Sequence, residues 1–281
     1  MGSYGPPSLS PDGKRVVFDR ADAGSGNRDL WIYALAGGTT NRFTFDPAND
    51  YDAVWSADGS RILFSSSRDG AENLYQRASD LTGNEQPLLK SSERKFPQDV
   101  SRDGRFLLYV GAPNGNLALM VLPLAGGPQG EAKPRLFVGA PQFLTGSARF
   151  SPDGRFVAYV SSETGKNEIY VRPFSPDGTA GGQQMISQGG GTQPLWRGNE
   201  IFYIAPDSKV MAVPVTTGAT FQRGTPVALF TPPIFGGGNV VSNNRWDVTA
   251  DGKQFLINAV VTETASTPIT AVLNWTELLK R

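Results

Sequence analysis

The groups that could do chemistry in this chain are carboxylates, guanidiniums, amides and hydroxyls, because its 281 residues include no histidine and no cysteine. That removes the commonest general base and metal ligand, every thiol nucleophile and every thiolate metal site. The polar residues that stand out lie just ahead of large apolar ones: Asp52, Gln98, Asp99, Ser147, Arg149, Gln193, Asn244, Arg245 and Asp247. Both charge signs together with side-chain amides suit hydrogen-bonded recognition of a peptide or a polar small molecule better than recognition of a lipid. The same residues could instead satisfy buried backbone groups and ordered water.

Other clusters carry less. Asp46, Asn49, Asp50 and Asp52 are close together, but the central glycine and the twelfth-position glutamate of an EF-hand are absent. The stretch therefore reads as a solvated loop of Asx turns rather than a calcium loop. Gly189-Gly190-Gly191-Thr192 and Gly236-Gly237-Gly238 lack the following Lys-Ser/Thr and helix that a phosphate cradle needs. No Gly-x-Ser-x-Gly elbow occurs, no histidine could serve a triad, and the protein-kinase catalytic signatures are missing. Arg15, Arg61, Arg105 and Arg155 are dispersed at regular intervals, as stems lying over apolar edges would be. No enzymatic activity, no metal and no cofactor are expected on these grounds.

The elements that must position the polar set are written as a repeat. Ser-x-Asp-Gly or Thr-x-Asp-Gly begins at Ser10, Ser56, Ser101, Ser151 and Thr249, with a worn copy from Trp196 to Tyr203. Aligning Gly13, Gly59, Gly104, Gly154, Gly198 and Gly252 gives spacings of 46, 45, 50, 44 and 54 residues. That period fits four-stranded blades or helical pairs, and 33 Gly with 21 Pro argue against helices. The residue before each Ser/Thr position is Leu9, Trp55, Val100, Phe150, Trp196 or Val248, which reads as the end of an inner strand. Five residues past the glycine stand Phe18, Phe64, Tyr109, Tyr159, Tyr203 and Ile257, one level of a second strand.

Third strands are expected at Asp29–Leu35, Asn73–Arg77, Leu117–Leu122, Glu168–Arg172, Lys209–Val213 and Ile269–Asn274, with Pro123, Pro173 and Pro214 closing three of them. Outer strands are expected at Asn41–Phe45, Gln86–Lys90, Arg135–Val138, Gln183–Ser187 and Val227–Phe230, which leaves the sixth blade one strand short. Its third strand should keep an edge covered only in part by the N-terminal tail and by a helical turn over Thr276–Arg281. Ser175-Pro176-Asp177-Gly178 copies the repeat turn out of phase and should be an ordinary hairpin turn. The expected fold is all-β, a single six-bladed β-propeller with an incomplete last blade. Its blades would span about 4–45, 46–90, 91–138, 139–187, 188–230 and 231–281.

These hairpins at blade spacing, each leading into a β-rich run that ends in a bulky residue, resemble the TolB-like and WD-repeat-like β-propeller family. The phrases Phe43-Thr44-Phe45-Asp46-Pro47-Ala48-Asn49-Asp50 and Ile269-Thr270-Ala271-Val272-Leu273-Asn274-Trp275 are similar to propellers C-terminal to bacterial membrane-anchored serine/threonine kinases. The resemblance implies a non-catalytic interaction or sensor module with a protein or peptide partner, placed outside the cytoplasm if kinase-attached. A propeller that binds a polar small molecule, a sugar or calcium is the alternative. Lys plus Arg equals Asp plus Glu at 26 each, so no basic surplus exists for nucleic acid. No apolar run reaches the ~18 residues of a membrane span. Met1-Gly2-Ser3 is expected to be a cloning scar on an excised, monomeric domain.

Overall fold

The computed structural model describes residues 4–124, 133–178, 181–218, 220–233, 244–259 and 270–272. They form six antiparallel sheets that follow one another along the chain. The inner strands are Ser8–Leu9, Asp50–Trp55, Lys95–Val100, Thr145–Phe150, Thr192–Arg197 and Trp246–Val248. Each touches the next, and the last touches the first, so the inner strands make a closed ring. This is a β-propeller. Among the described residues the only helical element is one 3-10 turn, Pro113–Gly115, and none is a helix long and apolar enough to cross a membrane.

The repeated hairpin explains the repeated residues. In five blades the Ser or Thr hydroxyl donates to the Asp Oδ1 two residues on, at 2.5–2.6 Å. The same hydroxyl accepts the amide five residues on, at 2.9–3.1 Å. The glycine at the fourth position has φ of +67° to +72°, a backbone that disfavours any β-carbon. The Ser56 hydroxyl, followed by the Ser60 amide and hydroxyl, holds the Asp58 carboxyl down at about 2. Turn chemistry thus sets the hairpin between the first and second strands of five blades.

Second strands run over Arg15–Ala21, Arg61–Asp69, Phe106–Gly111, Phe156–Ser161, Glu200–Ile204 and Phe255–Ile257. Phe18, Phe64, Tyr109, Tyr159, Tyr203 and Ile257 are all buried, one in each of the six apolar clusters that lie between neighbouring blades. Third strands lie at Arg28–Ala34, Ala71–Ala78, Ala118–Pro123, Glu168–Pro173, Val210–Thr217 and Thr270–Val272. Outer strands lie at Thr40–Arg42, Gln86–Leu89, Arg135–Val138, Gln184–Met185 and Val227–Phe230. The Ser175–Gly178 turn forms as a plain turn after a third strand, closed by Gly178 N–H donating to Ser175 O at 3.1 Å.

Two expectations are corrected. Pro214 does not close its strand; the strand continues to Thr217, and the extension pairs with an additional strand, Phe221–Arg223. A proline is tolerated there because its carbonyl still accepts, from Gly224 N–H at 2.8 Å. Among the described residues the N-terminal tail does not pair with the edge of the sixth sheet, and it is hydrogen-bonded to that blade only where Asn258 Nδ2 donates to Tyr4 O at 3.2 Å and Gly5 O at 3.1 Å. Tyr4 bridges Arg20, and Gly5 N–H donates to Asp19 O, so the tail lengthens the first blade. The sixth sheet has three strands among the described residues. The helical turn expected over Thr276–Arg281 and the Gly236–Gly238 run lie outside the described residues.

Candidate binding site at the channel mouth

Inner strands of blades two to five slip register by a bulge near their middles. At that level Asp52, Ser147 and Gln193 take φ of +56°, +44° and +55°, each three residues before the strand's closing apolar residue. Blade three holds Pro97 at the same place, and proline cannot adopt positive φ. Left-handed backbone in non-glycine residues costs free energy and is retained where the surroundings enforce it. The bulge sets polar residues at equivalent positions of the inner ring, all three are buried, and of them Asp52 lines the axial cavity.

The axis holds a cavity of about 150 Å³. Of the residues singled out from the sequence, Asp52, Gln98, Asp99, Arg149, Asn244 and Asp247 line it. Ser147, Gln193 and Arg245 do not. Gln193 and Arg245 form a staple between blades five and six, in which Arg245 N–H donates to Gln193 Oε1 at 2.6 Å. Asn244 contributes to the same staple by donating from Nδ2 to Pro194 O at 2.8 Å. Among the described residues the buried Asn244 Oδ1 and Gln193 Nε2 have no hydrogen-bond partner.

Charges of both signs line the cavity wall, in blade order Asp52, Asp99, Arg149, Arg197 and Asp247. Asp99 Oδ2 accepts Phe150 N–H at 2.8 Å, and Asp247 Oδ2 accepts Leu9 N–H at 2.8 Å. Each carboxylate thus caps the strand end of the following blade, and Asp247 does so across the ring closure. Arg197 pairs with Asp247 at 2.8 Å and donates to Val248 O at 2.9 Å. Arg149 donates to Gln98 O at 2.6 Å and to Ala148 O at 2.8 Å. Burial pushes the Asp99 carboxyl up from its ordinary value, against the pull of Arg149, the Phe150 amide and Arg197. Burial likewise pushes Arg149 down, opposed by Asp99 and Asp247. These charges feel one another through a poorly solvated space, so a ligand entering it meets stronger fields than it would on the outer surface.

Arg197 and Arg102 also line the cavity, and the sequence pattern did not single them out. Both are departures from the repeat. Arg197 stands where the other blades carry Ser or Thr after the apolar residue. Arg102 fills the x of Ser-x-Asp-Gly, where the others have Pro or Ala. The lining includes the hairpins at Ser10, Ser56 and Thr249, so the cavity opens on the face that carries the repeat turns.

Comparison with known proteins agrees with this architecture. The family described as TolB beta propeller domain matches residues 1–130. A TolB-type protein from Agrobacterium tumefaciens is 22% identical, with a TM-score of 0.68, over 89% of this chain and 87% of that one. A puromycin-hydrolyzing peptidase from Mycobacterium tuberculosis is 18% identical with a TM-score of 0.65, over 92% of this chain but 42% of its own. A gluconolactonase from Xanthomonas campestris is 14% identical with a TM-score of 0.58, over 91% of this chain and 82% of its own. The expectation that this chain is not an enzyme is overturned by these likenesses. Enzymes share its fold, and for the lactonase the shared part is most of the molecule, so missing histidine and missing hydrolase motifs do not exclude catalysis. In fold the chain is a TolB-like β-propeller.

Proposed function

We propose that this propeller is a binding module that receives part of a protein or peptide partner at the mouth of its central channel. The observation that carries the reading is the set of both signs, Asp99, Arg149, Arg197 and Asp247, around a cavity of about 150 Å³. That volume is well below the ~300 Å³ at which pockets for drug-sized ligands begin. It suits one inserted side chain or chain end of a larger partner better than a free sugar. Balanced charges also argue against a calcium site, because Arg102, Arg149 and Arg197 offset Asp52, Asp99 and Asp247. A peptide presents amide donors and acceptors at short intervals, which a wall of both signs can match. Attachment to a receptor-like kinase, with the module outside the cytoplasm, rests on the two sequence phrases alone, and the reading frame ahead of Tyr4 tests it.

The test is selection of peptides from a random library displayed on phage, followed by titration of the winners. Ala250 is exposed, lines the cavity and is the x residue of the sixth-blade turn. Ala250→Trp should occlude the mouth without touching the core and abolish binding of the selected peptides. Leu136→Ser, on an exposed outer strand, should leave it unchanged. Selected peptides that bind both variants equally would overturn the reading.

A further inference from the structure

Two side chains of the channel wall have bonding capacity that the protein itself does not use. Asn244, 3% exposed, lines the axial cavity from blade six. Its Nδ2 donates to Pro194 O at 2.8 Å, which fixes which way the amide faces. Oδ1 is then left without a hydrogen-bond partner among the described residues. A buried acceptor of this kind is destabilising unless water or a ligand brings a donor to it.

Arg149 lines the same cavity from blade four, with the opposite need. Its Nη1 donates to Gln98 O at 2.6 Å and to Ala148 O at 2.8 Å. No bond from Nη2 or Nε and no ion pair engages the rest of the guanidinium among the described residues. Arg197, by contrast, is held by Asp247, Trp196 O and Val248 O, and Asp247 also accepts Leu9 N–H. Three arginines and three aspartates line the cavity, so the wall as a whole favours neither sign of charge.

On the reading that the mouth receives a side chain, and resting on it, we propose that this side chain ends in a primary carboxamide, a glutamine or asparagine of the partner. The carboxamide NH2 donates to Asn244 Oδ1, and its carbonyl accepts from the unused side of the Arg149 guanidinium. A carboxylate could satisfy Arg149, but it has no hydrogen for Asn244 and would face Asp99 and Asp247. An ammonium or guanidinium could satisfy Asn244, but it has no acceptor for Arg149 and would face Arg149 and Arg197. Each mismatch weighs more in a poorly solvated space than it would on the outer surface. A hydroxyl both donates and accepts, but from one atom, whereas blades four and six stand on either side of blade five. An apolar side chain leaves both needs unmet.

The probe is a set of peptides, acetyl-Gly-Ser-X-Ser-Gly-N-methylamide, in which X is glutamine, glutamate, lysine or leucine. The N-methyl cap avoids a second primary carboxamide at the chain end. Each is titrated into isotopically labelled protein and followed by amide chemical shifts. The glutamine peptide should bind at millimolar concentration or below, moving Asp99, Arg149, Asn244 and Asp247. The other three should bind about tenfold or more weakly. Asn244→Asp keeps an acceptor but adds a negative charge, so in that variant the lysine peptide should become the best binder. Glutamate or lysine peptide binding the parent as tightly as glutamine, at the same residues, would overturn the proposal and leave the channel reading intact. Library-selected peptides that bind at the mouth without glutamine or asparagine would do the same. An unchanged ranking in Asn244→Asp would mean that buried water serves Oδ1, and would also overturn it. Shifts away from the axis, or no shift at millimolar glutamine peptide, would overturn it as well, and the library selection then judges the channel reading separately.

Discussion

Replacing Asp247 by alanine should loosen the closure of the ring more than any other single change at the axis. Its carboxylate accepts Leu9 N–H from the first blade, accepts Val248 N–H at 2.8 Å, and pairs with Arg197. Asp247 is 5% exposed, so water cannot readily replace it. An amide left unpaired in such a place costs about 1–3 kcal/mol. Stranding a buried charge costs about 3–5 kcal/mol, and the Arg197 side chain, 23% exposed, recovers part of that through solvent. A net loss of about 3–5 kcal/mol is expected, a large fraction of the ~5–15 kcal/mol that holds a domain together. For a chain of this length each kcal/mol lowers the melting temperature by roughly 2–4 °C, so the midpoint should fall by about 10 °C. Asp247→Asn keeps an acceptor and should lose about half as much. Differential scanning calorimetry of the three proteins reads these shifts directly. An alanine variant that melts within a degree or so of the parent would refute the assigned role.

Three further outcomes follow from the structure. Gly154 has φ of +71° and open space where a β-carbon would stand, so Gly154→Val should cost about 1–3 kcal/mol from backbone strain alone, read from the urea midpoint. Ser151→Ala removes the acceptor of the buried Phe156 N–H at 2.9 Å and should cost about 1–2 kcal/mol in the same assay. Asp50 is fully buried, and burial raises its carboxyl to about 6 although Ser66 and Arg68 pull it down. A folded value above the unfolded one means that stability is greatest with Asp50 protonated, below about pH 4, and is lost as pH rises through about 6. The stability of the parent relative to Asp50→Asn should therefore fall by about 3 kcal/mol between pH 4 and pH 7.5, measured by urea titration. A difference that stays flat across that window would contradict the burial argument.

The ring was legible in the sequence because its hairpin is a chemical device that tolerates little variation. Ser151, Asp153 and Gly154 each do a separate job, so the device reappears with the same letters at each blade. Burial of an apolar residue at the end of each inner strand was legible for the same reason. Pro214 misled because proline ends many strands, yet its carbonyl still accepts a bond from Gly224. At the axis, the polar set was visible, but its partition was not. Gln193 and Arg245 staple two blades while Asp99 and Asp247 line the cavity, and that division depends on bulges that shift the register mid-strand. Arg102 and Arg197 were not legible, because a repeat shows only what recurs and these two break it. The exclusion of catalysis failed on a different ground. It rested on motifs of other folds, whereas enzymes share this one at low sequence identity.

The most direct test of the channel reading is amide hydrogen exchange on the free protein and on its complex with a library-selected peptide. Binding at the mouth should slow exchange at residues around the axis, namely Asp52 to Trp55, Gln98 to Arg102, Arg149 and Asp247 to Ala250, and leave the outer strands unchanged. Protection confined to outer strands such as Arg135–Val138 or Val227–Phe230, with none around the axis, would contradict it.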